Sequence, residues 1–156
     1  MSRRHRARRL ALQGLCCLDV QGDRAEELVG QFIDDSREPP QTLAAARTLL
    51  AAANAAREES DRILARHARH WDLSRLALVD RNILRLAVAE MRSGRAPPKV
   101  VISEAIRLAM EFSSADSPRF VNGVLDAVMK EMIASRPAAD HDGQRQPPEQ
   151  PQTPKQ

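Results

Sequence analysis

Aromatic residues are scarce in this chain, which has no tyrosine, one tryptophan and three phenylalanines, or 3% of its 156 residues. Glycine is also scarce, with six residues, and no segment alternates polar and apolar residues as a half-buried strand does. The apolar residues are mainly Leu, Ala, Val and Ile in the company of helix-forming residues. These features predict an all-α fold, and the length suits one domain with a substantial core.

Cysteine is limited to Cys16 and Cys17, which are adjacent. Neighbouring cysteines in a helix suit neither a disulfide nor a C-x-x-C metal pair, so we expect a reducing compartment and a cytoplasmic location. No run approaches the roughly 20 apolar residues that span a bilayer, so we expect no membrane segment. The basic opening imitates a targeting peptide, but Gln13 interrupts its apolar part and no small-residue cleavage site follows.

Groups that carry catalysis are also missing from the sequence. We find no activated nucleophile, paired carboxylates, phosphate-binding loop or metal-ligand cluster, which predicts a protein that is not an enzyme and needs no cofactor. The nearest approach to a metal site is His67, His70 and Asp72 around Trp71, but no further ligand sits at matching spacing. We therefore expect no bound metal, and we interpret Trp71 as a packing anchor.

The chain does contain a helical hairpin over residues 100–132, around which the rest is organised. Between its two apolar stripes, Asp116-Ser117-Pro118 is a helix start signal, because Asp or Ser accepts a first-turn N–H and proline suits the first helical position. Gly123 lies within the second stripe, where glycine costs about 1 kcal/mol, so we expect a close packing contact there. The stripes are formed by Val101, Ala105, Leu108, Ala109 and Phe112 and by Val121, Val124, Leu125, Val128 and Met132.

Four helical segments are predicted before this hairpin. The third is one long helix or two, broken near Asn54 or Ser60, and the wide apolar stripe of the fourth predicts burial on more than one side. The segments cover residues 7–20, 25–33, 42–69 and 79–92, and the second is expected to turn Leu28, Val29, Phe32 and Ile33 inward.

The chain changes in character after Ala134. Residues 135–156 contain no apolar residue larger than Ala or Pro and hold five of the ten prolines. Such a segment cannot bury enough surface to fold. We therefore predict a helical domain over residues 1–134 and a disordered Pro/Gln-rich tail over residues 135–156.

Positive charge is concentrated at the N-terminus. The net charge is only +3, but five arginines lie within the first nine residues, which leaves 19 basic against 21 acidic residues elsewhere. Arginines that project from the start of a helix attract polyanions such as RNA, and such binding weakens as salt rises. A solvated charged arm, a nuclear signal and a heparin patch are the alternatives. The arginines are Arg3, Arg4, Arg6, Arg8 and Arg9.

The start of the last predicted helix is a second candidate site. Its unpaired N–H groups and positive dipole end favour an anion, Arg119 adds a formal charge, and Phe120 lies in the first turn. Phosphate bound at the helix end and an unpaired base stacked on the phenylalanine ring are interactions that suit RNA. The alternative is that Phe120 is simply part of the core.

Three segments of the chain together resemble the NusB family of bacterial transcription antitermination factors. They are V-V-I-S-E-A-I-R-L-A and D-S-P-R-F-V-N-G-V-L-D within residues 100–126, R-x-I-L-R-L-A-V-x-E within residues 81–90, and an arginine-rich opening that runs into A-L-Q-G-L at residues 11–15. The resemblance covers roughly residues 3–132. It implies about seven helices in two packed three-helix bundles.

The resemblance also implies a function. NusB-like proteins bind a short single-stranded RNA element, boxA, together with the ribosomal protein NusE, and they hold RNA polymerase in an antitermination complex during ribosomal RNA synthesis. Asp80 and Glu90 lie on the helix that faces the partner in the family. The implied RNA-facing residues are Arg3, Arg4, Arg6, Arg9, Asp116, Arg119, Phe120 and Asn122.

Three positions depart from the family pattern. Cys16 stands where the family usually has tyrosine, Met110 where lysine is common, and Ser103 where asparagine is usual. The first change removes a stacking platform and the second a phosphate contact or an ion pair. We therefore expect weaker RNA binding by the chain alone and a greater dependence on the partner.

Two other functions are compatible with the same residues. A NusB-like domain also precedes some ribosomal RNA cytosine methyltransferases, but this chain lacks their glycine-rich cofactor domain, so catalysis would need another polypeptide. The chain is alternatively a homodimer whose self-association covers the arginine surface. Its mass in solution, with and without RNA, separates the homodimer from the RNA-binding adaptor.

Overall fold

The computed structural model describes residues 1–68 and 72–136. These residues form seven α-helices and two short 3₁₀ turns, Asp23–Ala25 and Leu73–Arg75, and they include no strand, which confirms the all-α prediction. The helices are α1 (Arg3–Gln21), α2 (Glu26–Asp35), α3 (Pro40–Ala55), α4 (Arg57–His67), α5 (Leu78–Ser93), α6 (Pro98–Phe112) and α7 (Ser117–Ala134).

The start of α1 differs from the prediction, and the segment at 42–69 adopts one of the two predicted alternatives. α1 begins at Arg3 rather than at residue 7, because the Ser2 hydroxyl accepts a hydrogen bond of 3.1 Å from the His5 backbone N–H and caps the first turn. The segment at 42–69 is two helices, since the backbone leaves the helical region at Ala56 and α4 begins one residue later. The break therefore lies between the two positions that the sequence suggested.

The helices form two groups that share one core. α1, α2 and α3 contact one another, α5, α6 and α7 do the same, and α4 packs on α5 and α7. α1 and α3 also contact α5, so the main hydrophobic core takes side chains from both groups. α5 lies at the centre, as predicted, because every residue from Asn82 to Met91 is buried.

A close approach at Gly14 holds the first group together. A Cβ atom at this position would lie 2.9 Å from Val29 Cγ1 and 3.1 Å from Leu50 Cδ2. A side chain at this position would therefore displace the Val29 and Leu50 side chains, so glycine favours the close packing of α2 and α3 against α1.

Two packing predictions are wrong. Leu28 and Phe32 are 53% and 42% exposed, because α2 is a short helix at the edge of the fold whose buried stripe needs only Val29 and Ile33. Gly123 is exposed, and a Cβ there would meet no atom of the described residues within 4 Å. Its place in the sequence marks an open face of α7 and not a tight contact.

An ion-pair network joins the last turn of α1 to α5. The Asp19 carboxylate accepts hydrogen bonds from Arg81 at 2.8 Å and from Asn82 at 2.9 Å. Burial opposes the ionisation of Asp19, but these bonds and the charges of Arg85 and Arg81 outweigh it and hold the pKa of the carboxyl below its ordinary value.

Several predictions concern the ends of the described segments. Three predictions lie outside the described residues: the packing role of Trp71, the absence of a metal at His70, and the disorder of residues 137–156. α7 ends at Ala134. His67 contacts Glu131 at 2.9 Å, and the described part of the chain holds no cluster of three or more metal-ligating side chains. No helix among the described residues is long and apolar enough to cross a membrane.

Candidate nucleic-acid interface

The basic side chains at the start of α1 point in three directions, because helical spacing distributes them around the axis. Arg3 and Arg6 lie toward the link between α2 and α3. There Arg6 pairs with Glu38 at 2.9 Å, and Arg3 donates a hydrogen bond to Gln41. Their guanidinium groups stay at the surface, but each already has an acceptor in the protein.

His5 and Arg9 turn toward α6. The His5 ring is fully buried, with Nδ1 2.6 Å from the Glu104 carboxylate and Nε2 beside that of Glu111. Arg9 pairs with Glu111 at 2.9 Å, and its guanidinium lies 5.5 Å from the centroid of the Phe112 ring, within cation–π distance. The start of α1 is thereby attached to the last turn of α6, directly before the link to α7.

Arg8 is buried, so the expectation that all five arginines project outward is wrong for this one. Its guanidinium forms two hydrogen bonds with the Glu90 carboxylate of α5, one of them 3.0 Å from Nε to Oε2, and both side chains are 6% exposed. A buried carboxylate requires such a partner. Arg8 therefore positions α1 on α5.

Glu104 is the second carboxylate near Arg8, at 3.9 Å. Burial opposes its ionisation, but the hydrogen bond and charge of His5 and the charges of Arg8 and Arg107 outweigh burial and lower the pKa of Glu104. The carboxylate is thus ionised at neutral pH and cancels part of the positive charge at the start of α1.

Arg4 differs from the other four arginines. Its side chain is exposed and has no hydrogen-bond or ion-pair partner within residues 1–68 and 72–136. It lines a surface groove together with Arg95, which follows α5. Arg4 is therefore available to a ligand without breaking an internal bond.

Asp80 anchors the link between α6 and α7. Its buried carboxylate accepts hydrogen bonds from the hydroxyls of Ser113 at 2.6 Å and Ser117 at 2.9 Å, so the first turn of α7 is held on the start of α5. Asp116 occupies the cap position but its side chain makes no capping bond, contrary to what the start signal suggested. Its exposed carboxylate is left for other contacts.

The start of α7 presents a polar face. Arg119, Asn122 and Gly123 are exposed along it, while Val121 and Val124 are buried on the opposite side. Phe120 is partly buried, packs against the main core and also lines a groove of about 290 Å³ beside Asp116. The Phe120 side chain therefore contributes to the core, and its stacking on an RNA base stays a prediction.

The two residues expected to face a protein partner are both buried. Asp80 is 8% and Glu90 is 7% exposed, and each carboxylate is bonded inside the fold. Their contact with a partner stays a prediction. Glu104 and Glu111 were not predicted, because a single sequence carries no signal of which distant charges pair. Arg95 was not predicted because its nearness to Arg4 depends on the fold.

Comparison with known proteins shows the family of this chain. The NusB family model matches residues 5–130. Transcription antitermination protein NusB of Symbiobacterium thermophilum is 44% identical over 141 residues, which cover 85% of this chain and 92% of that protein.

Two solved structures have the same fold. One, described as antitermination factors NusB and NusE in complex with dsRNA, matches with a TM-score of 0.75 and 30% identity over 84% of this chain and 98% of that chain. The other, described as a plectonemic RNA supercoil, matches with a TM-score of 0.79 and 31% identity over 87% of this chain and 100% of that chain.

Proposed function

The chain belongs to the NusB family, and from this membership we propose that it is a non-enzymatic, RNA-binding factor of transcription antitermination. It binds a boxA-like RNA together with the NusE ribosomal protein and so supports transcription of ribosomal RNA. The related complex of NusB, NusE and RNA supports both partners. The single-stranded state of the RNA, the RNA polymerase complex and the cytoplasmic location are further parts of the proposal.

One contact carries the proposal of a single RNA interface. Arg9 binds Glu111 and covers the Phe112 ring, four residues before Asp116. Arg9 and the start of α1 are thereby held at the end of α6, next to the link that leads into the exposed start of α7. A short RNA that contacts one of these segments is able to reach the other.

The proposed roles follow from the chemistry of each side chain. Arg4 and Arg119 are exposed cations that bind phosphate groups, and the Phe120 ring stacks an unpaired base from its groove. Asp116 and Asn122 accept and donate hydrogen bonds at base edges. Arg3, Arg6 and Arg9 contribute further phosphate contacts by exchanging an internal acceptor for phosphate.

The test is fluorescence anisotropy of a labelled boxA-like RNA titrated with the protein, with and without the NusE partner, across a salt series. A scrambled RNA of equal length is the sequence control, and a variant with Arg3, Arg4 and Arg6 changed to Ala is the protein control. We expect tighter binding with NusE, a preference for the boxA-like RNA, and a loss of affinity and of salt dependence in the variant.

Two results would contradict this proposal. If neither RNA binds even with NusE present, the function is not RNA-binding antitermination. If wild type and variant bind alike, the start of α1 is not part of the interface, and a mass of twice the monomer without RNA would then favour the homodimer.

A further inference from the structure

A surface groove beside the start of α1 includes residues that are not part of the proposed RNA interface. It has a volume of about 280 Å³ and is lined by residues of α1, α3 and the turn between α5 and α6. Arg4 and Arg95 both line it, together with the buried pair Arg8 and Glu90. We call it the Arg4–Arg95 groove.

The charges that line this groove do not cancel. Arg8 and Glu90 neutralise each other in their buried pair. Arg4 and Arg95 are exposed, and neither side chain has a hydrogen-bond or ion-pair partner among the described residues. Two free guanidinium groups therefore face one groove, and no free carboxylate lines it to balance them.

The turn that carries Arg95 is held by hydrogen bonds to the end of α5. Gly94 takes a left-handed conformation with φ of 68°, which ends α5 sharply and is readily adopted by glycine. The Ser93 hydroxyl donates to the Glu90 carbonyl at 2.7 Å and accepts from the Arg95 backbone N–H at 3.4 Å. Arg95 therefore extends from a turn that is already bonded to the end of α5.

The remaining lining residues of the groove are uncharged. Ala7, Ala45 and Ala96 contribute side chains of one carbon atom, Leu49 adds a partly buried apolar side chain, and Thr48 is exposed and carries a hydroxyl. A groove with two unpaired cations and a hydroxyl fits a phosphodiester group, because guanidinium binds phosphate oxygens with paired hydrogen bonds.

We propose that the Arg4–Arg95 groove binds the sugar-phosphate backbone of the RNA and extends its path from the start of α7 across the start of α1. This inference rests on the proposed function. It adds Arg95 and Thr48, which neither the sequence motifs nor the exposed face of α7 indicates, as contacts that supply affinity but not sequence preference.

The test compares three single variants by RNA anisotropy at several salt concentrations. Arg95→Ala removes one cation of the groove, and Thr48→Glu adds a carboxylate to it without removing any arginine. Arg24→Ala is the matched control, since Arg24 is an exposed arginine on the turn before α2 that has no partner among the described residues. Circular dichroism melting confirms that all three variants fold.

We expect Arg95→Ala to weaken binding about fivefold, equally on the boxA-like and the scrambled RNA, and to lower the slope of log affinity against log salt by about 0.7. Thr48→Glu should weaken binding at least as much, while Arg24→Ala should match wild type. Loss on the boxA-like RNA alone would overturn the assignment to the backbone.

The inference and the proposed function fail in different ways. If Arg95→Ala and Thr48→Glu bind RNA as tightly as Arg24→Ala while Arg119→Ala weakens binding, the groove is not on the RNA path but the proposed function stands. If the wild-type protein binds neither RNA with or without NusE, both are contradicted.

Discussion

The starts of α1 and α7 both carry arginine, but they use it differently. In α1, three of the five arginines, Arg6, Arg8 and Arg9, pair with carboxylates of the same molecule, which are Glu38, Glu90, Glu104 and Glu111. In α7, the start of the helix is held by uncharged hydroxyl bonds to Asp80, and Arg119 has no partner within the described residues. The density of charge in a sequence therefore does not measure the charge that a ligand can reach.

The largest expected effect is on the free energy of unfolding, and it differs between the buried Arg8 and the exposed Arg4. Arg8→Ala leaves the Glu90 carboxylate buried without a partner, which should lower the free energy of unfolding by about 3 to 5 kcal/mol. Arg4→Ala should change it by less than about 0.5 kcal/mol, because Arg4 is exposed. Urea unfolding followed by circular dichroism measures both.

A double variant is the control for this prediction. Arg8→Met combined with Glu90→Leu removes both charges and fills the space with apolar atoms, so it should recover most of the stability that Arg8→Ala loses. Equal urea midpoints for Arg8→Ala and Arg4→Ala would show that the two arginines do not differ in the way described.

The next effect concerns the start of α7. Phe120→Leu keeps an apolar side chain against the core but removes the aromatic ring from the groove beside Asp116. We expect RNA binding to weaken by about 1 to 3 kcal/mol, through the loss of base stacking. Stability should fall by about 1 to 2 kcal/mol, because the change is large-to-small but the side chain is only partly buried.

The Phe120 prediction needs both measurements. Anisotropy with the boxA-like RNA gives the affinity, and urea unfolding gives the stability. Unchanged affinity together with a large loss of stability would mean that Phe120 serves only the core.

A pH effect is expected at the opposite end of α1. Because the pKa of Asp19 is lowered in the folded protein, its ionised form stabilises the fold above the unfolded value of about 3.9. That contribution is lost as pH falls through the folded pKa. Asp19→Asn should therefore be less stable than wild type at pH 7, and the difference between them should shrink in acid.

Unfolding midpoints at several values between pH 7 and pH 2 test this effect of Asp19. A constant difference between wild type and Asp19→Asn over the whole range would contradict the ionic role of this carboxylate. RNA affinity at pH 7 should be unchanged, because Asp19 lies at the other end of α1 from the arginines.

The smallest expected effect comes from removing the Glu111 carboxylate, which competes with RNA phosphate for Arg9. Glu111→Gln deletes a negative charge beside Arg9 and weakens the hold on its guanidinium. We expect RNA binding to tighten by about 0.5 kcal/mol, the scale of a partly exposed ion pair. Asp126→Asn, a similar charge change on α7, where Asp126 pairs with Lys130 at 2.9 Å, should have less effect in the same anisotropy assay. Equal effects would mean that only net charge matters.

Much of the fold follows from local sequence patterns. Helical periodicity predicted the hairpin of α6 and α7, and the width of the apolar stripe predicted the central place of α5. These features depend on residues three to eleven positions apart, which a single sequence displays directly.

Long-range partners explain what the sequence did not reveal. Arg8 and Glu90 are 82 positions apart, and His5 and Glu111 are 106 apart, so no local pattern distinguishes a paired arginine from a free one. The two informative glycines show the same limit. Gly14 marks a close helix contact and Gly123 an open surface, although both interrupt apolar helical stripes.

The central claim is that the starts of α1 and α7 form one RNA interface. The most direct measurement is photocrosslinking of a boxA-like RNA that carries 4-thiouridine, in the complex with NusE, followed by mass spectrometry of the linked peptides. We expect crosslinks in residues 1–9 and in residues 114–122 of the same complexes. Crosslinks confined to the outer surfaces of α2 and α3 would contradict it.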